Sequence, residues 1–178
     1  MLIKVSRTIL ESAVIFQAKH DVRYYLGGIC FKSDGRVCST NGHRMFIGSK
    51  HSGELKEDVV IKVSKATVRA YDHAIIDTES EIVSYFTESV VKVAVGMVSV
   101  VDGRFPDVDR VIQKERHATD IISFNAGYLA DVEKVAKNFN NKMNSVVFEL
   151  NGNAGAAVAK FTSPFGETGM VIVMPMRV

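Results

Sequence analysis

Hydrophobic and polar positions repeat the same pattern three times along the chain, at a spacing of about 55 to 60 residues. Each copy predicts a strand, a polar helix cap, an amphipathic helix and then three more strands. In the first copy the strand Leu2 to Val5 precedes Ser6, a predicted N-cap, and a helix that runs to about Ala18. The three strands predicted after this helix are Val22 to Lys32, Arg36 to Thr40 and Arg44 to Gly48.

The second and third copies predict the same elements. The second has the strand Val59 to Val63, a Ser64 cap and a helix to about Ala74. Its later strands are Glu81 to Thr87, Val90 to Val95 and Met97 to Val101. The third has the strand Asp120 to Phe124, an Asn125 cap, a helix from Ala126 to about Phe139, and the strands Val146 to Leu150, Ala156 to Phe161 and Met170 to Met174.

The repeat predicts an α+β fold of three half-domain units, with antiparallel sheets outside and the helices on one face. Two such units side by side cover each other's open sheet edges and make a domain. We therefore expect a complete domain over residues 1–113, made of units 1–50 and 58–113, and a single unit over 118–178. The apolar flank of the third unit has nothing in its own chain to cover it, so another chain is the expected remedy. Polar stretches mark the boundaries, at Ser49 to Asp58 and Gln113 to Thr119.

The composition indicates the class of protein but says little about its binding partners. With 178 residues and 47% hydrophobic content, the chain can bury a core as one large or two small domains. No apolar run approaches the roughly 20 residues that span a bilayer, and the N-terminus lacks a signal-peptide layout, so we expect a cytoplasmic protein. A net charge of +2 does not demand an anionic partner. Cys30 and Cys38 lack zinc-site spacing and are interpreted as small core thiols.

The sequence offers few candidate catalytic residues. It contains no glycine-rich phosphate loop, no His-Glu-x-x-His and no paired-cysteine motif. Asp107 and Asp109 are close enough to share a metal, but two carboxylates alone make a weak site. His43 has no activated nucleophile beside it. We predict no catalytic residue, metal or cofactor, and a protein that is not an enzyme.

Four segments stand out from the strand pattern. The tail, Gly169 to Val178, stays apolar almost to its end and contains Met174-Pro175-Met176-Arg177, where Pro175 interrupts strand pairing. A core strand that ends late is the alternative explanation. The other segments are a Gly-centred turn, Thr40-Asn41-Gly42-His43-Arg44, the step Asp102-Gly103-Arg104-Phe105-Pro106-Asp107, and Val22-Arg23-Tyr24-Tyr25-Leu26.

Together these segments resemble the bacterial sliding clamp family, the beta subunit of DNA polymerase III. Residues 1 to 113 look like the middle domain of a clamp, and 118 to 178 look like the second half of its last domain, as in a shortened form of the clamp. The resemblance implies a DNA-clamp fold and a pocket that captures a short linear peptide of clamp-binding proteins such as DNA polymerase. The implied peptide-binding residues are Leu26, Thr40, Gly42, His43, Arg44, Met45, Pro106, Arg110, Val111, Ala157, Ile172, Met174, Pro175 and Met176. Asn41 stands where the family often has an aspartate.

Double-stranded DNA is the second partner that the resemblance implies, because clamp helices line a hole through which DNA passes without its bases being read. The implied DNA-binding residues are Arg7, Lys19, His20, Arg23, Lys65, Arg69, Lys134 and Lys137. Ordinary solvated helix faces are the alternative, and Asp131 and Glu133 favour it for the third helix. A full ring has twelve half-domain units, which four copies of this chain would supply, so a homo-oligomer is expected and a tetrameric ring is arithmetically possible. The expected function is that of a processivity and tethering factor, and the alternative is a peptide-binding decoy or modulator of a host clamp that does not encircle DNA.

Overall fold

The computed structural model describes residues 1–64, 66, 68, 70–112, 115–139 and 145–177. Within these residues lie eleven strands and two α-helices. In chain order they are β1 (Leu2–Ser6), α1 (Arg7–Phe16), β2 (Ile29–Phe31), β3 (Val37–Thr40), β4 (Arg44–Gly48), β5 (Val59–Val63), β6 (His73–Asp77), β7 (Ile82–Phe86), β8 (Lys92–Val101), α2 (Ala126–Asn138), β9 (Phe148–Glu149), β10 (Ala157–Thr162) and β11 (Thr168–Val173).

Both helices begin at the cap that the sequence predicts. The Ser6 hydroxyl accepts a hydrogen bond from the Ile9 amide at 3.3 Å, and the Asn125 side chain accepts one from the Gly127 amide at 2.8 Å. These bonds satisfy amide donors that the first helical turn leaves unpaired. The buried stripe of α1 consists of Ile9, Leu10, Ser12, Ala13 and Phe16, and that of α2 of Val132, Val135 and Ala136.

The strands form one antiparallel sheet in the order β1-β6-β7-β8-β5-β2-β3-β4-β11-β10-β9. The ten-residue strand β8 connects its two halves, because its first part pairs with β7 and its last part with β5. The third unit joins the first where β11 pairs with β4, in the register Gly169↔Gly48 to Val173↔Arg44. The strand order thus makes the three units one continuous sheet.

Two apolar layers lie on opposite faces of this sheet. The larger layer packs α1 and α2 against the inner face, with Phe16, Phe46, Phe139 and Phe161 at its centre. The smaller layer, which we call the outer cluster, lies on the other face. It consists of Cys30, Cys38, Met45, Ile47, Val60, Val108, Ala156, Val158 and Ile172, with Val101, Phe105, Val111, Ile112, Met170 and Met174 packed against it. Residues 105–112, the covering segment, supply Phe105, Val108, Val111 and Ile112 to this cluster.

One predicted strand of the first unit is wrong over most of its length. Val22 to Lys32 contains a 3-10 turn at Tyr24–Gly27, followed by the short strand β2. The Asp21 carboxylate accepts the Arg23 amide at 2.8 Å, which favours a turn over a strand at this point. Gly28 then runs so close to β5 that a Cβ there would lie 2.6 Å from Val60 Cγ1. Aromatic residues with high strand propensity are therefore held in a turn by their surroundings.

The predicted helix from Ser64 to Ala74 also differs from the structure. Residues 64, 66, 68 and 70–72 are not helical, while Lys65, Thr67 and Arg69 lie outside the described residues. Ala74 lies in strand β6, where it pairs with Val5 on one side and Tyr85 on the other. Pairing with two distant strands overrides the local helical pattern here.

Smaller differences concern strand ends. The two strands predicted at Val90 to Val95 and Met97 to Val101 are one strand, β8, which continues through Gly96. Asp120 to Phe124 is not a strand; within it, only Ser123 makes an isolated bridge, with Met176. Of the strand predicted at Val146 to Leu150, only Phe148–Glu149 is in the sheet. No helix in the described ranges is long and apolar enough to cross a membrane.

Candidate peptide groove and DNA-facing helices

The tail is fixed on both sides after β11 ends at Val173. The Met174 amide donates to the His43 carbonyl at 2.9 Å, and the Met176 amide donates to the Ser123 carbonyl at 2.8 Å. Pro175, which cannot donate, lies between these two bonds. The tail therefore continues the pairing begun by β11, first along the β3–β4 turn and then along Ser123.

The β3–β4 turn that holds Met174 is stabilised by its own side chains. The Thr40 hydroxyl donates to the Arg44 carbonyl at 2.8 Å and accepts from the Gly42 amide at 3.0 Å. The Asn41 side-chain oxygen accepts from the amides of His43 and Arg44, each at 3.0 Å. Gly42 has φ +90°, a conformation that glycine adopts readily. Asn41 thus accepts both bonds through a single oxygen, so the turn does not need an aspartate at this position.

Four of the predicted peptide-binding residues meet in the outer cluster. Met45 and Ile172 are buried neighbours across β4 and β11, and Val111 and Met174 pack against them. Val108 of the covering segment and Val158 of β10 belong to the same cluster. Aliphatic and thioether side chains from three separate parts of the chain therefore surround the start of the tail.

Beside this cluster lies an apolar groove of about 580 Å³, which we call the tail groove. Its lining residues are Ile121, Ile122, Asn153, Ala154, Met174, Pro175, Met176 and Arg177. The three predicted tail residues line it, but the opposite wall comes from residues 121–122 and 153–154, and not from Thr40 to Met45 or Pro106 to Val111. Sequence reasoning missed this wall, although the adjacent isoleucines of the predicted strand Asp120 to Phe124 were an available signal.

Arg44 lies on the opposite face of the sheet from the outer cluster. Its guanidinium pairs with Asp131 of α2 at 2.8 Å, donates to the Ile15 carbonyl at 3.0 Å, and lies 4.4 Å from the centre of the Phe16 ring. The side chain is only 9% exposed, and burial lowers the Arg44 pKa. Successive strand residues point to opposite faces, so Met45 faces the outer cluster and Arg44 faces the helices. Arg44 therefore ties α1 and α2 to β4.

Ala157 is likewise on the helix side of its strand. It shares that face with Ala159 and Phe161, whereas its neighbours Ala156 and Val158 belong to the outer cluster. A shift of one residue in a strand exchanges the two faces, which explains why sequence placement missed Ala156 and Val158.

The remaining predicted peptide-binding residues do not line the tail groove. Leu26 and Thr40 are buried, whereas Pro106 and Arg110 are exposed, and Arg110 pairs with Asp107 at 3.2 Å. His43 is stacked on Tyr128 of α2, with ring centres 6.3 Å apart. The structure therefore brings only the tail residues of the predicted set into this groove.

Three of the predicted DNA-binding residues line a second groove, of about 650 Å³, between α1 and α2. They are Lys19, Lys134 and Lys137, and Glu11 and Asp131 line the same groove. Lys134 pairs with Asp131 at 2.7 Å, and Lys137 pairs with Glu133 at 2.6 Å. Lys19 makes no ion pair with any described residue. The helix face therefore carries cations, two of which are balanced by carboxylates on their own helix.

The other predicted DNA-binding residues are not in this groove. His20 and Arg23 lie in the exposed segment after α1, and Arg23 makes two bonds to the Asp21 carboxylate, at 3.0 and 2.8 Å. These bonds lower the Asp21 pKa to about 2. Arg7 lies at the other end of α1, 5.5 Å from the centre of the Tyr71 ring. Lys65 and Arg69 lie outside the described residues.

Asp107 and Asp109, considered as metal ligands from the sequence, have other partners. Asp107 pairs with Arg110, while Asp109 makes two bonds to Arg36 at 2.7 and 2.9 Å. In the part of the chain that the structure describes, no three histidine, cysteine or acidic side chains are grouped as they would be around a metal.

No protein-family model matches the sequence. Comparison with individual proteins is more informative. The chain is 31% identical over 120 residues to the beta sliding clamp of Vibrio cholerae, covering 64% of this chain and 33% of the relative. It is 32% identical over 115 residues to the beta sliding clamp of Escherichia coli, covering 61% of this chain and 31% of the relative. The crystal structure of the DNA polymerase III subunit beta from Pseudomonas aeruginosa superposes with a TM-score of 0.67, at 18% identity, over 100% of this chain and 67% of that one. The chain is similar in sequence and in fold to the bacterial beta sliding clamps.

The clamp fold and the resemblance read from the sequence are both confirmed by these matches. That the chain is not an enzyme stays a prediction. The chain spans about a third of the length of the curated clamps that it matches.

Proposed function

We propose that this protein is a clamp-type tethering factor, which binds duplex DNA on its helix face and holds a client protein by a short peptide in the tail groove. The observation that carries the proposal is the placement of α1 and α2 side by side on the inner face of one continuous sheet, with Lys19, Lys134 and Lys137 lining the groove between them. The tail groove lies at the end of β11, so one chain offers both surfaces.

Binding of DNA without sequence preference requires cations that meet phosphates and that exchange readily between them. Lys134 and Lys137 are exposed and already paired with carboxylates of α2. Each would exchange a protein carboxylate for a phosphate, which favours weak contacts over a fixed complex. We expect affinity to fall steeply with added salt.

The DNA test compares two charge reversals. Lys19→Glu with Lys134→Glu should abolish retention on nicked circular DNA at low salt, whereas Lys92→Glu on β8, away from the helices, should leave it unchanged. Retention on a nicked circle that is lost after linearisation would support encirclement. Equal loss of DNA binding in both variants would contradict the assignment of the helix face.

The peptide proposal follows from the chemistry of the tail groove and outer cluster. Methionine, isoleucine and proline side chains suit the apolar residues of a linear peptide, and the Asn153 side chain and the Arg177 guanidinium suit its polar groups. Met174→Ala with Met176→Ala should weaken the binding of a clamp-motif peptide, measured by fluorescence anisotropy, by at least about tenfold. Met97→Ala, an exposed methionine on β8, is the matched control. Unchanged affinity in the tail variant would refute the site.

The proposed assembly of several copies rests on the predicted boundaries of the units. We propose a domain over residues 1–113 and a half-domain over 118–178 that completes its sheet with other copies, with a ring of four chains as the largest expected closed form. Light scattering at micromolar concentration distinguishes this ring from a monomer. Peptide binding by a monomer that is not retained on circular DNA would instead indicate a decoy of a host clamp. A cytoplasmic location is part of this proposal.

A further inference from the structure

The β10–β11 turn presents an aromatic side chain to solvent on a firmly bonded backbone. Phe165 is 85% exposed at the tip of this turn. The amides of Phe165 and Glu167 both donate to the Ser163 hydroxyl, at 3.3 and 3.2 Å, and the Ser163 amide donates to the Glu167 carbonyl at 2.8 Å. A large apolar group held in this way loses little conformational entropy on binding, which is typical of an anchor residue in a protein interface.

Carboxylates surround this anchor. Phe165 lines a groove of about 440 Å³ together with Glu11, Asp72, Glu88 and Glu167. None of these four carboxylates makes an ion pair with a residue that the structure describes. Arg7 and Lys137 line the same groove, but Lys137 is paired with Glu133. The surface around Phe165 is therefore negative and suits an apolar partner surface that carries a cation.

The tail groove has these complementary properties. Ile121, Met174 and Met176 make it apolar, and Arg177 at its edge makes no ion pair with any described residue. The groove and the Phe165 turn lie at opposite ends of β11, a separation of about 20 Å for a six-residue strand. One chain cannot bring its own turn into its own groove, so a contact between them joins two copies.

We propose that Phe165 of one copy inserts into the tail groove of a second copy, with Glu167 facing Arg177. The contact is heterologous, because it uses two different surfaces, and it therefore produces chains or closed rings of copies. The proposal rests on the groove assigned above to a peptide client, so this contact and peptide binding exclude each other, whereas association through the sheet of the third unit leaves the groove free. In this arrangement the Phe165 turn occupies the client site until a client displaces it.

The first test is the concentration dependence of sedimentation at low salt. Wild-type protein should associate reversibly, and Phe165→Ser should raise the dissociation constant at least about tenfold. Val22→Ser removes another exposed apolar side chain, one that is 96% exposed and remote from the turn, and should sediment like wild type. A wild-type protein that remains monomeric up to millimolar concentration, or a Phe165→Ser variant that associates as wild type does, would overturn the proposal.

The second test exchanges charges across the contact. Glu167→Arg and Arg177→Glu should each weaken association, and the double variant should recover most of it, because the pair is restored in the opposite sense. Circular dichroism checks that each variant is folded. Failure of the double variant to recover association would show that these two residues do not face each other.

The peptide measurement separates this proposal from the proposed function. Phe165→Ser should bind a clamp-motif peptide at least as tightly as wild type, because it removes a competitor and leaves the groove intact. If no peptide binds but Phe165→Ser still loses self-association, the peptide function fails and the self-contact holds. If peptide binds normally and Phe165→Ser associates as wild type, the self-contact fails and the function holds.

Discussion

The last strands of the three units, β4, β8 and β11, are in different surroundings. β4 and β11 pair with each other, and their junction is covered on the inner face by the helices and on the outer face by the covering segment. The first half of β8 pairs with β7 alone, and its outward side chains Val95 and Met97 are 58% and 84% exposed. All three strands are rich in apolar residues, so composition does not set this difference. What differs is whether another part of the chain reaches the outer face.

The boundary between the covered and the uncovered part of the outer face lies within β8 itself. Val101, at its end, packs against the outer cluster, while Met97, four residues earlier on the same face, lies beyond the reach of residues 105–112. The connection after β8 therefore covers one half of the outer surface and leaves the other open. An uncovered apolar strand is also the kind of surface that the proposed assembly with other copies would use.

The largest expected effect comes from truncating one outward side chain in each region. Ile172→Ala in β11 removes a side chain that is 2% exposed and leaves a cavity in the outer cluster, so we expect a loss of about 2–5 kcal/mol in the free energy of unfolding. Met97→Ala should change this free energy by less than about 0.5 kcal/mol, because its side chain already meets solvent. Urea unfolding of both variants measures the difference. A large loss for Met97→Ala would mean that another part of the protein covers β8.

Glycine substitutions test the same contrast between β11 and β8 on the inner face, where we expect a smaller effect. A Cβ at Gly169 of β11 would lie 2.5 Å from Phe139 and 3.1 Å from Phe46, so Gly169→Ala forces two packed rings apart and should cost about 1–3 kcal/mol. A Cβ at Gly96 of β8 would lie 3.1 Å from Val83, a tight contact, and 3.8 Å from Tyr85, an ordinary one. We expect Gly96→Ala to cost less than Gly169→Ala, as measured by thermal unfolding. Equal costs would show that the junction is no more tightly packed than β8.

Local signals in the sequence predict much of this fold. The caps Ser6 and Asn125 and the apolar stripes that follow them place α1 and α2, because helix starts depend on neighbouring residues. The segment after Ser64 carries a similar signal, yet Ala74 is in a strand because Val5 and Tyr85, both distant in sequence, pair with it. Pairing between distant strands does not show in the local pattern, and it accounts for this error.

The candidate groove is predictable to a lesser degree. The tail residues Met174 and Met176 are found from their unusual apolar position at the end of the chain. The sequence predicts Arg44 and Ala157 on the peptide-binding side of the sheet, but both face the helices. A shift of one residue exchanges the two faces of a strand, and the local pattern does not fix this shift. Ile121 and Asn153 form the opposite wall of the tail groove only through the three-dimensional course of the third unit.

The smallest expected effect concerns the attachment of the covering segment, which separates the two regions. Arg36 makes two bonds to Asp109 of this segment and lowers the pKa of both Asp109 and Asp34. A lowered carboxyl pKa stabilises the folded protein above the ordinary aspartate value of about 4, and that stabilisation is lost as the pH falls through the lowered pKa. Because the pair is solvent-exposed, Asp109→Asn should cost less than about 1 kcal/mol at neutral pH. The difference between wild type and variant should shrink below pH 4, which denaturant unfolding across the pH range measures. A difference that persists in acid would mean that Asp109 stabilises the segment by something other than its charge. No difference at neutral pH would mean that the covering segment is held by its apolar side chains alone, and the contrast between the junction and β8 would then rest on packing without any contribution from charge.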